Sequence, residues 1–391
     1  MGDFTIFSRL HIGKEWEMAS HRPETSSKTS RRSSLVISLT GLIVGLFAFF
    51  QPVPDSQSAT TLTLSGSTMM ESLEKAWKRA YDQKHPDTRL VITASGSGEG
   101  IRSAGSGNVS IGVSDAYLTP RLHRKYPYLV AIPVAISDVQ IIYNVPGIPK
   151  NRILNIDGPT LAKIFQGTLK YWDDLSLKSL NPGVDLPHLS IRPIHRSDLS
   201  GTTFVLTDYL SLTSEEWSAM IGRDRNPKGI SGIGVRGSKE VVRMVRSSPG
   251  ALGYVGLSWG RKSRLPSMAL KNRDGFFVVP SPRTVQNAAL GAFVRPDFPY
   301  GFNRSIVWKI AGKEAYPASN FEYCLINTNT DSQTMSEIRQ FLLWVLGPGQ
   351  NADYTVRNGF SPLPYPRSRN TLSHILEKIL NGNSFQVVSP G

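Results

Sequence analysis

The sequence predicts an α/β fold organised in two domains, and three observations carry that prediction. At 391 residues the chain exceeds the usual extent of one hydrophobic core. Its composition is globular, 40% hydrophobic and 19% charged, with 34 Gly and 26 Pro to serve many turns. Strand-like and helix-like periods alternate along it, joined by small-residue loops, as expected of helices flanking sheets.

The amino-terminal element is a leader. Ser34 to Phe50, SLVISLTGLIVGLFAFF, holds no charge in 17 residues and follows Arg31-Arg32, the positive flank of a secretory signal, so the mature chain is expected outside the cytoplasm. The run is longer than an ordinary signal core and near the short limit of a spanning helix, so a cleaved signal peptide and an uncleaved inner-membrane anchor both fit. Ser56 to Ala59 offers a small-residue cleavage site, and Met18 is an alternative start to Met1. Ser30-Arg31-Arg32 with Leu35 holds part of a twin-arginine pattern but lacks Phe at position 34.

The globular part opens with TLTLSGSTMM, a short strand ending in a Gly/Ser/Thr turn. In MMESLEKAWKRAYDQKHP the apolar residues Met70, Leu73, Ala76, Trp77 and Ala80 recur at the helical period. LVITASGSGEG repeats the plan, with a short helix expected from Ile101. VSIGVSDAYL is a strand running into Ser-Asp, and VAIPVAISDVQIIYNVPG reads as buried strands. GPTLAKIFQG is an amphipathic helix, SIRPIHRSDLSGTTFVLTDYL another strand, loop and helix, and GSKEVVRMVRSSPGALGYVG a helix closed by Pro-Gly before a strand. Gly232 to Gly237 matches the G-x-G-x-x-G spacing, but it follows NPKGIS and not a buried strand, so it reads as a turn before a helix from Ser238. FEYCLINTNT is a strand, and SQTMSEIRQFLLWVLGPGQ a helix capped by Ser332 and stopped at Gly347-Pro348-Gly349. The tail beyond Asn381 reads as loose.

Charge and cysteine content narrow the function. The chain carries +14; six Lys/Arg and five Asp/Glu lie in residues 1–59, which leaves about +13 on the rest. That suits an anionic partner. The basic residues are scattered and not gathered into one stripe with aromatics, which speaks against nucleic acid. The single cysteine, Cys324, excludes an internal disulfide, and its apolar strand setting makes it a buried, inert thiol.

Four segments share one grammar: SGSTMMES at 65–72, ASGSGEGIRS at 94–103, GVSDAY at 112–117 and HRSDLSGTTF at 195–204. Three of them place hydroxyl residues and glycine where a helix begins. A helix amino terminus exposes unpaired N–H groups and the positive end of the peptide dipoles, so several converging there make a dehydrated anion site. Serine and threonine add donors, glycine permits close backbone approach, and Arg196 adds a fork with fixed charge. Taken singly each feature has a plainer explanation: Thr68 or Ser97 as a helix cap, Arg196 and Asp198 as a local ion pair, Asp115 as a turn residue.

In this order, and with LAKIFQGTLKYWDD, LNPG, SPGALGYV, YPASNFEYCLIN and FSPLP, these segments resemble the substrate-binding proteins of bacterial high-affinity phosphate ABC transporters, the PstS family, over about residues 60–380. The resemblance implies a two-lobe periplasmic-binding-protein fold, type II-like, with ligand in the interdomain cleft. Residues 60–140 with 313–391 would form one lobe and 141–312 the other, behind a signal peptide or anchor in 1–59. It implies phosphate ligands at Thr68, Met69, Ser97, Asp115, Arg196, Ser200, Gly201 and Thr202, with Asp198 orienting Arg196. At position 69 the family commonly has Phe, but a backbone donor does not depend on that side chain. Asp115 matches the carboxylate that accepts the ligand's proton. The implied partners are inorganic phosphate and a transmembrane permease, the implied state a monomer in the periplasm without cofactor or metal.

Two other classes make demands that can be compared with the sequence. A hydrolase would need a nucleophile with its base or a metal cluster; Ser97 lies in GSGEG, and the five histidines after the leader (His85, His123, His188, His195, His374) have no paired ligand spacing. His195 adjoins Arg196, but the family tolerates other residues there. A membrane-tethered phosphate sensor or scavenging protein, not coupled to transport, is the alternative that gains if residues 34–50 are retained.

Overall fold

The computed structural model describes residues 59–149, 151–290 and 304–364. The leader and the tail beyond Asn381 lie outside them. A five-stranded sheet has the order β2-β1-β3-β12-β4. Its strands are β1 (Thr60–Gly66), β2 (Thr88–Ala94), β3 (Ile111–Ser114), β4 (Leu129–Asp138) and β12 (Ser319–Asn327). The first three are parallel; β12 runs antiparallel to both β3 and β4, with a register shift between Glu322 and Tyr323. Both long strands are buried along nearly their whole length, which is why their sequences are continuous apolar runs without alternation.

A four-stranded sheet has the order β5-β9-β7-β8, from β5 (Gln140–Tyr143), β7 (Arg192–Arg196), β8 (Ile233–Val235) and β9 (Ala251–Val255). A small sheet joins β6 (Asn155–Ile156), β10 (Ala269–Lys271) and β11 (Phe277–Val278). Only Val139 separates β4 from β5. Its amide donates to the Ala318 carbonyl at 2.9 Å and its carbonyl accepts from the Tyr316 hydroxyl at 3.0 Å, so the passage between the two larger sheets is tied to the approach of β12.

On the five-stranded sheet lie α1 (Glu71–Asp82), α2 (Ser97–Gly105) and α11 (Ser332–Leu346), while α3 (Pro120–Lys125), with no buried residue, lies in the connection from β3 to β4. Helix α1 buries Leu73, Ala76 and Trp77 as its period predicts, and the Trp77 indole donates to the Gly349 carbonyl at 2.9 Å. The other helices are α4 (Gly158–Gln166), α5 (Leu175–Leu180), α6 (Gly201–Thr213), α7 (Glu215–Met220), α8 (Gly237–Ser247), α9 (Leu257–Ser263) and α10 (Pro282–Leu290). Cys324 is buried, and burial pushes its thiol well above the ordinary range.

Three local expectations are corrected. Helix α2 starts at Ser97 and not at Ile101: Gly96 takes φ +99°, and the Gly98 amide donates to Leu199 at 2.8 Å, so tertiary contacts override the poor helix propensity of Gly-Ser-Gly. Residues 233–235 are no mere turn but an edge strand paired in parallel with β7, and α8 begins at Gly237. The cap of α11 is Asp331, whose carboxylate accepts from the Thr334 amide at 2.9 Å.

Candidate functional site

The segments that share the hydroxyl and glycine grammar meet where the carboxyl ends of β1, β3 and β7 face one another. Arg196, the last residue of β7, is 2% exposed. Its Nε donates to Asp198 Oδ1 at 2.6 Å and its Nη2 to Asp198 Oδ2 at 2.5 Å, a two-point fork that fixes the guanidinium plane. Its amide donates to the Tyr254 hydroxyl at 2.9 Å. Burial works to raise the Asp198 carboxyl, but the hydrogen bonds and charge of Arg196, with the Gly237 amide at 3.2 Å, hold it below the ordinary range.

Four residues after Arg196, Ser200 caps α6, its hydroxyl accepting from the Thr203 amide at 3.1 Å, while its own amide donates to the Arg225 carbonyl at 3.0 Å. Helix α6 is buried from Gly201 through Leu210, so the amides of its first turn open into a dry environment. Gly201 is required here: a Cβ would collide with Ser97 Oγ and with the Asp115 side chain.

Asp115, just beyond β3, is 2% exposed. Its Oδ2 accepts from Thr202 Oγ1 at 2.9 Å, and its amide donates to Ser97 Oγ at 3.2 Å. Its Oδ1 is buried and accepts from no N–H or hydroxyl among the described residues, but the Asp115 and Glu322 carboxyls are hydrogen-bonded to each other. Two more buried carboxyls lie near it. Glu322 is pushed well up by burial and then by the Asp115 charge, and Glu74 is pushed to about 8 by burial, then by Glu71 and Asp115.

Thr68 reaches the opposite side of the cleft. Its hydroxyl is 3.0 Å from Ser238 Oγ, and Arg196 Nη1 donates to that same oxygen at 3.4 Å. Met69 lies beside it with its amide already donated to Ser67 Oγ at 3.0 Å and its side chain packed on Gly256. The structure therefore gathers Thr68, Ser97, Asp115, Arg196, Asp198, Ser200, Gly201 and Thr202 around one point, with Met69 in the adjoining shell.

Three neighbours are absent from the sequence-derived set. Ser238, the second residue of α8, links Thr68 to Arg196; it repeats the Gly-Ser grammar at a helix start, a signal hidden by reading 232–237 as a turn. Asn320 Nδ2 donates to the Asp115 carbonyl, and Tyr254 supports Arg196; neither is marked by a local pattern. Chemically, the site joins a neutralised guanidinium fork, a helix amino terminus and a carboxylate with an open acceptor. Such a site suits a small anion that itself carries a hydrogen.

The PBP superfamily domain matches residues 52–348 of the chain. The phosphate-binding protein PstS of Methanocaldococcus jannaschii is 31% identical over 349 residues, 84% of this chain and 89% of its own length. That of Haemophilus influenzae is 30% identical over 295 residues, 75% of this chain and 86% of its own length. Among solved structures, a phosphate-binding protein from Stenotrophomonas maltophilia aligns with a TM-score of 0.63 at 18% identity, covering 81% of this chain and 93% of its own. A phosphate ABC transporter substrate-binding protein from Clostridium perfringens, solved with bound phosphate, aligns at 0.56 with 18% identity, covering 78% of this chain and all of its own. At such identities the structural likeness speaks for the fold.

Proposed function

The chain belongs to the PBP superfamily and, within it, to the phosphate-binding PstS proteins, and on that premise we propose that it binds inorganic phosphate outside the cytoplasmic membrane and delivers it to an ABC permease. The observation that carries this reading is the buried carboxyl of Asp115, whose Oδ1 accepts from no N–H or hydroxyl among the described residues, gathered with the start of α6 and the Arg196–Asp198 fork. Monobasic and dibasic phosphate bring a hydrogen to that oxygen. Sulfate at neutral pH has none, and its oxygens would face the carboxylate in a dry cleft, at a cost of several kcal/mol or about 10³-fold in affinity. Arsenate keeps the hydrogen and differs mainly in size, so it is excluded less well.

Phosphate is held by hydroxyls of Thr68, Ser97 and Thr202, by amides at the start of α6, and by Arg196; the amides of Met69 and Ser200, expected as donors from the family resemblance, are already engaged by Ser67 and Arg225 and stand behind the ligand. One lobe comprises 60–140 with 313–391 and the other 141–312, moving about Val139. Closure brings Thr202 to Asp115 and Thr68 to Ser238, and it presents the closed surface that a permease reads. The protein acts as an exported monomer and performs no chemistry on its ligand. Isothermal titration calorimetry on the anion-stripped protein tests this: phosphate binds at micromolar concentration or tighter and sulfate gives no heat from the cleft. Absence of phosphate binding would overturn the reading.

A further inference from the structure

A second cluster of arginines lies outside the cleft and is not used by the site above. Arg223 and Arg225 follow α7, and both guanidinium groups lie over the Phe204 ring, 5.3 and 5.4 Å from its centre. Their partnerships differ. Arg223 is paired with Asp208 at 2.9 Å, whereas Nε and Nη2 of Arg225 are buried with no hydrogen-bond partner among the described residues. Arg225 is half-buried as a residue, but these two enclosed N–H groups lack the acceptor that buried donors ordinarily have. Burial draws Arg225 below its ordinary pKa; Asp224 opposes that, and the like charge of Arg121 adds to it. Arg121, exposed on α3, comes from the opposite side of the seam and has no carboxylate partner among the described residues.

Two adjoining hollows of about 240 and 210 Å³ share Arg121, Leu122, Asp224 and Arg225 as walls. The Asp224 carboxylate already accepts from the Asn226 amide at 2.8 Å. We propose that this seam is a second anion site, in which a small tetrahedral oxyanion bridges Arg121 of one lobe and Arg225 of the other and thereby fastens the closed form. Planar guanidinium forks meet such an oxyanion through paired N–H donors. Unlike the cleft, the seam has no buried carboxylate with an open oxygen waiting for a hydrogen, so it accepts sulfate as readily as phosphate. It is also coupled to the cleft, because the Arg225 carbonyl receives the amide of Ser200, the cap of α6. Linkage then requires that an anion in the seam tighten phosphate in the cleft.

The inference uses lobe closure, not the identity of the cleft ligand, and sulfate separates the two. In calorimetry of the full chain loaded with one equivalent of phosphate, at low ionic strength, sulfate binds weakly at a single site. Arg225→Gln and Arg121→Gln each weaken it about tenfold or more, as expected for lost charge-assisted hydrogen bonds. Arg121 is exposed, so that variant folds whatever happens to the other. Added sulfate also tightens phosphate by a few-fold in the wild type and not in Arg121→Gln. No sulfate heat up to about 10 mM, a limit near 3 kcal/mol of binding, would overturn the proposal; so would an isotherm unchanged in both variants. If phosphate fails to bind while sulfate binding depends on the arginines, the seam site stands and the reading of the cleft falls.

Discussion

On the β7 side of the cleft the buried guanidinium of Arg196 is met by Asp198 through two hydrogen bonds, and both groups are nearly inaccessible. On the β3 side Asp115 has one oxygen satisfied by Thr202 and the other without an N–H or hydroxyl donor among the described residues, beside two further buried carboxyls, Glu74 and the hydrogen-bonded Glu322. The positive half is thus internally neutralised and geometrically fixed, while the negative half keeps an open acceptor. A strong anion attractor would be built the other way round, with the base free and the acid paired. On the proposed reading this arrangement trades raw attraction for a test of the ligand: an anion held by dipoles and hydroxyls would have to donate to stay.

The largest expected effect comes from closing that acceptor. In Asp115→Asn the amide can donate to an unprotonated oxygen, so the preference for phosphate over sulfate falls by about 10³-fold, mostly through gained sulfate binding. Competition calorimetry with the two anions reads it directly, and an unchanged ratio would remove Asp115 from the selectivity argument. The next effect concerns the acids behind it. Glu74 keeps its proton in the fold up to about pH 8, whereas the unfolded carboxyl loses it near 4.5. Between those values the folded chain binds the extra proton, so this group's contribution to stability is greatest below 4.5, declines as pH rises, and levels off above about 8. Each unit between the two values is worth about 1.4 kcal/mol, so the span is a matter of a few kcal/mol. Glu74→Gln removes the slope, so its melting temperature relative to the wild type should rise from pH 5 to pH 8; a difference that stays flat over this range would show that Glu74 is already ionised in the fold.

How much of this was legible beforehand differs between the same two sides. Helix α1 was readable because Leu73, Ala76 and Trp77 recur on one buried face. The start of α6 was readable although that helix is buried nearly all round, since Ser200 announces the cap before any period is needed. The start of α2 was not, because Ser97-Gly98-Gly100 forms a helix only against Leu199 and the β1–β3 backbone. Tyr254 and Ser238 reach Arg196 across 58 and 42 residues of sequence, and no local pattern marks a contact of that separation. Strand β8 has three residues and owes its form to pairing with β7. What the sequence withheld is therefore mainly what supports the ligand-facing groups from behind.

The fixed fork on the β7 side offers the next way to sharpen the comparison. Arg196→Lys keeps the charge but cannot donate two parallel hydrogen bonds to Asp198, so the cation is no longer held in one plane. Phosphate binding should weaken by about 1.5–3 kcal/mol, roughly 10-fold to 150-fold, with selectivity against sulfate retained because Asp115 is untouched. A loss of selectivity in this variant would mean that the two sides do not act separately.

The smallest effect expected is at the one hydrogen bond that joins the sides. Thr202 lies on α6, yet its hydroxyl donates to Asp115 at 2.9 Å, so it joins α6 to the end of β3 and satisfies one carboxylate oxygen; in the proposed closure it is the bond that holds the two sides together. Thr202→Val keeps the shape and removes the donor. Because Asp115 then has a second open oxygen in a buried setting, the closed form loses about 1 kcal/mol, and phosphate binds several-fold more weakly. The loss should be recorded in a faster dissociation rate measured by stopped flow, since the encounter with the open form does not involve this bond. If association slows instead, Thr202 acts on the open protein, and the link between the acid side and the start of α6 is made before the lobes meet.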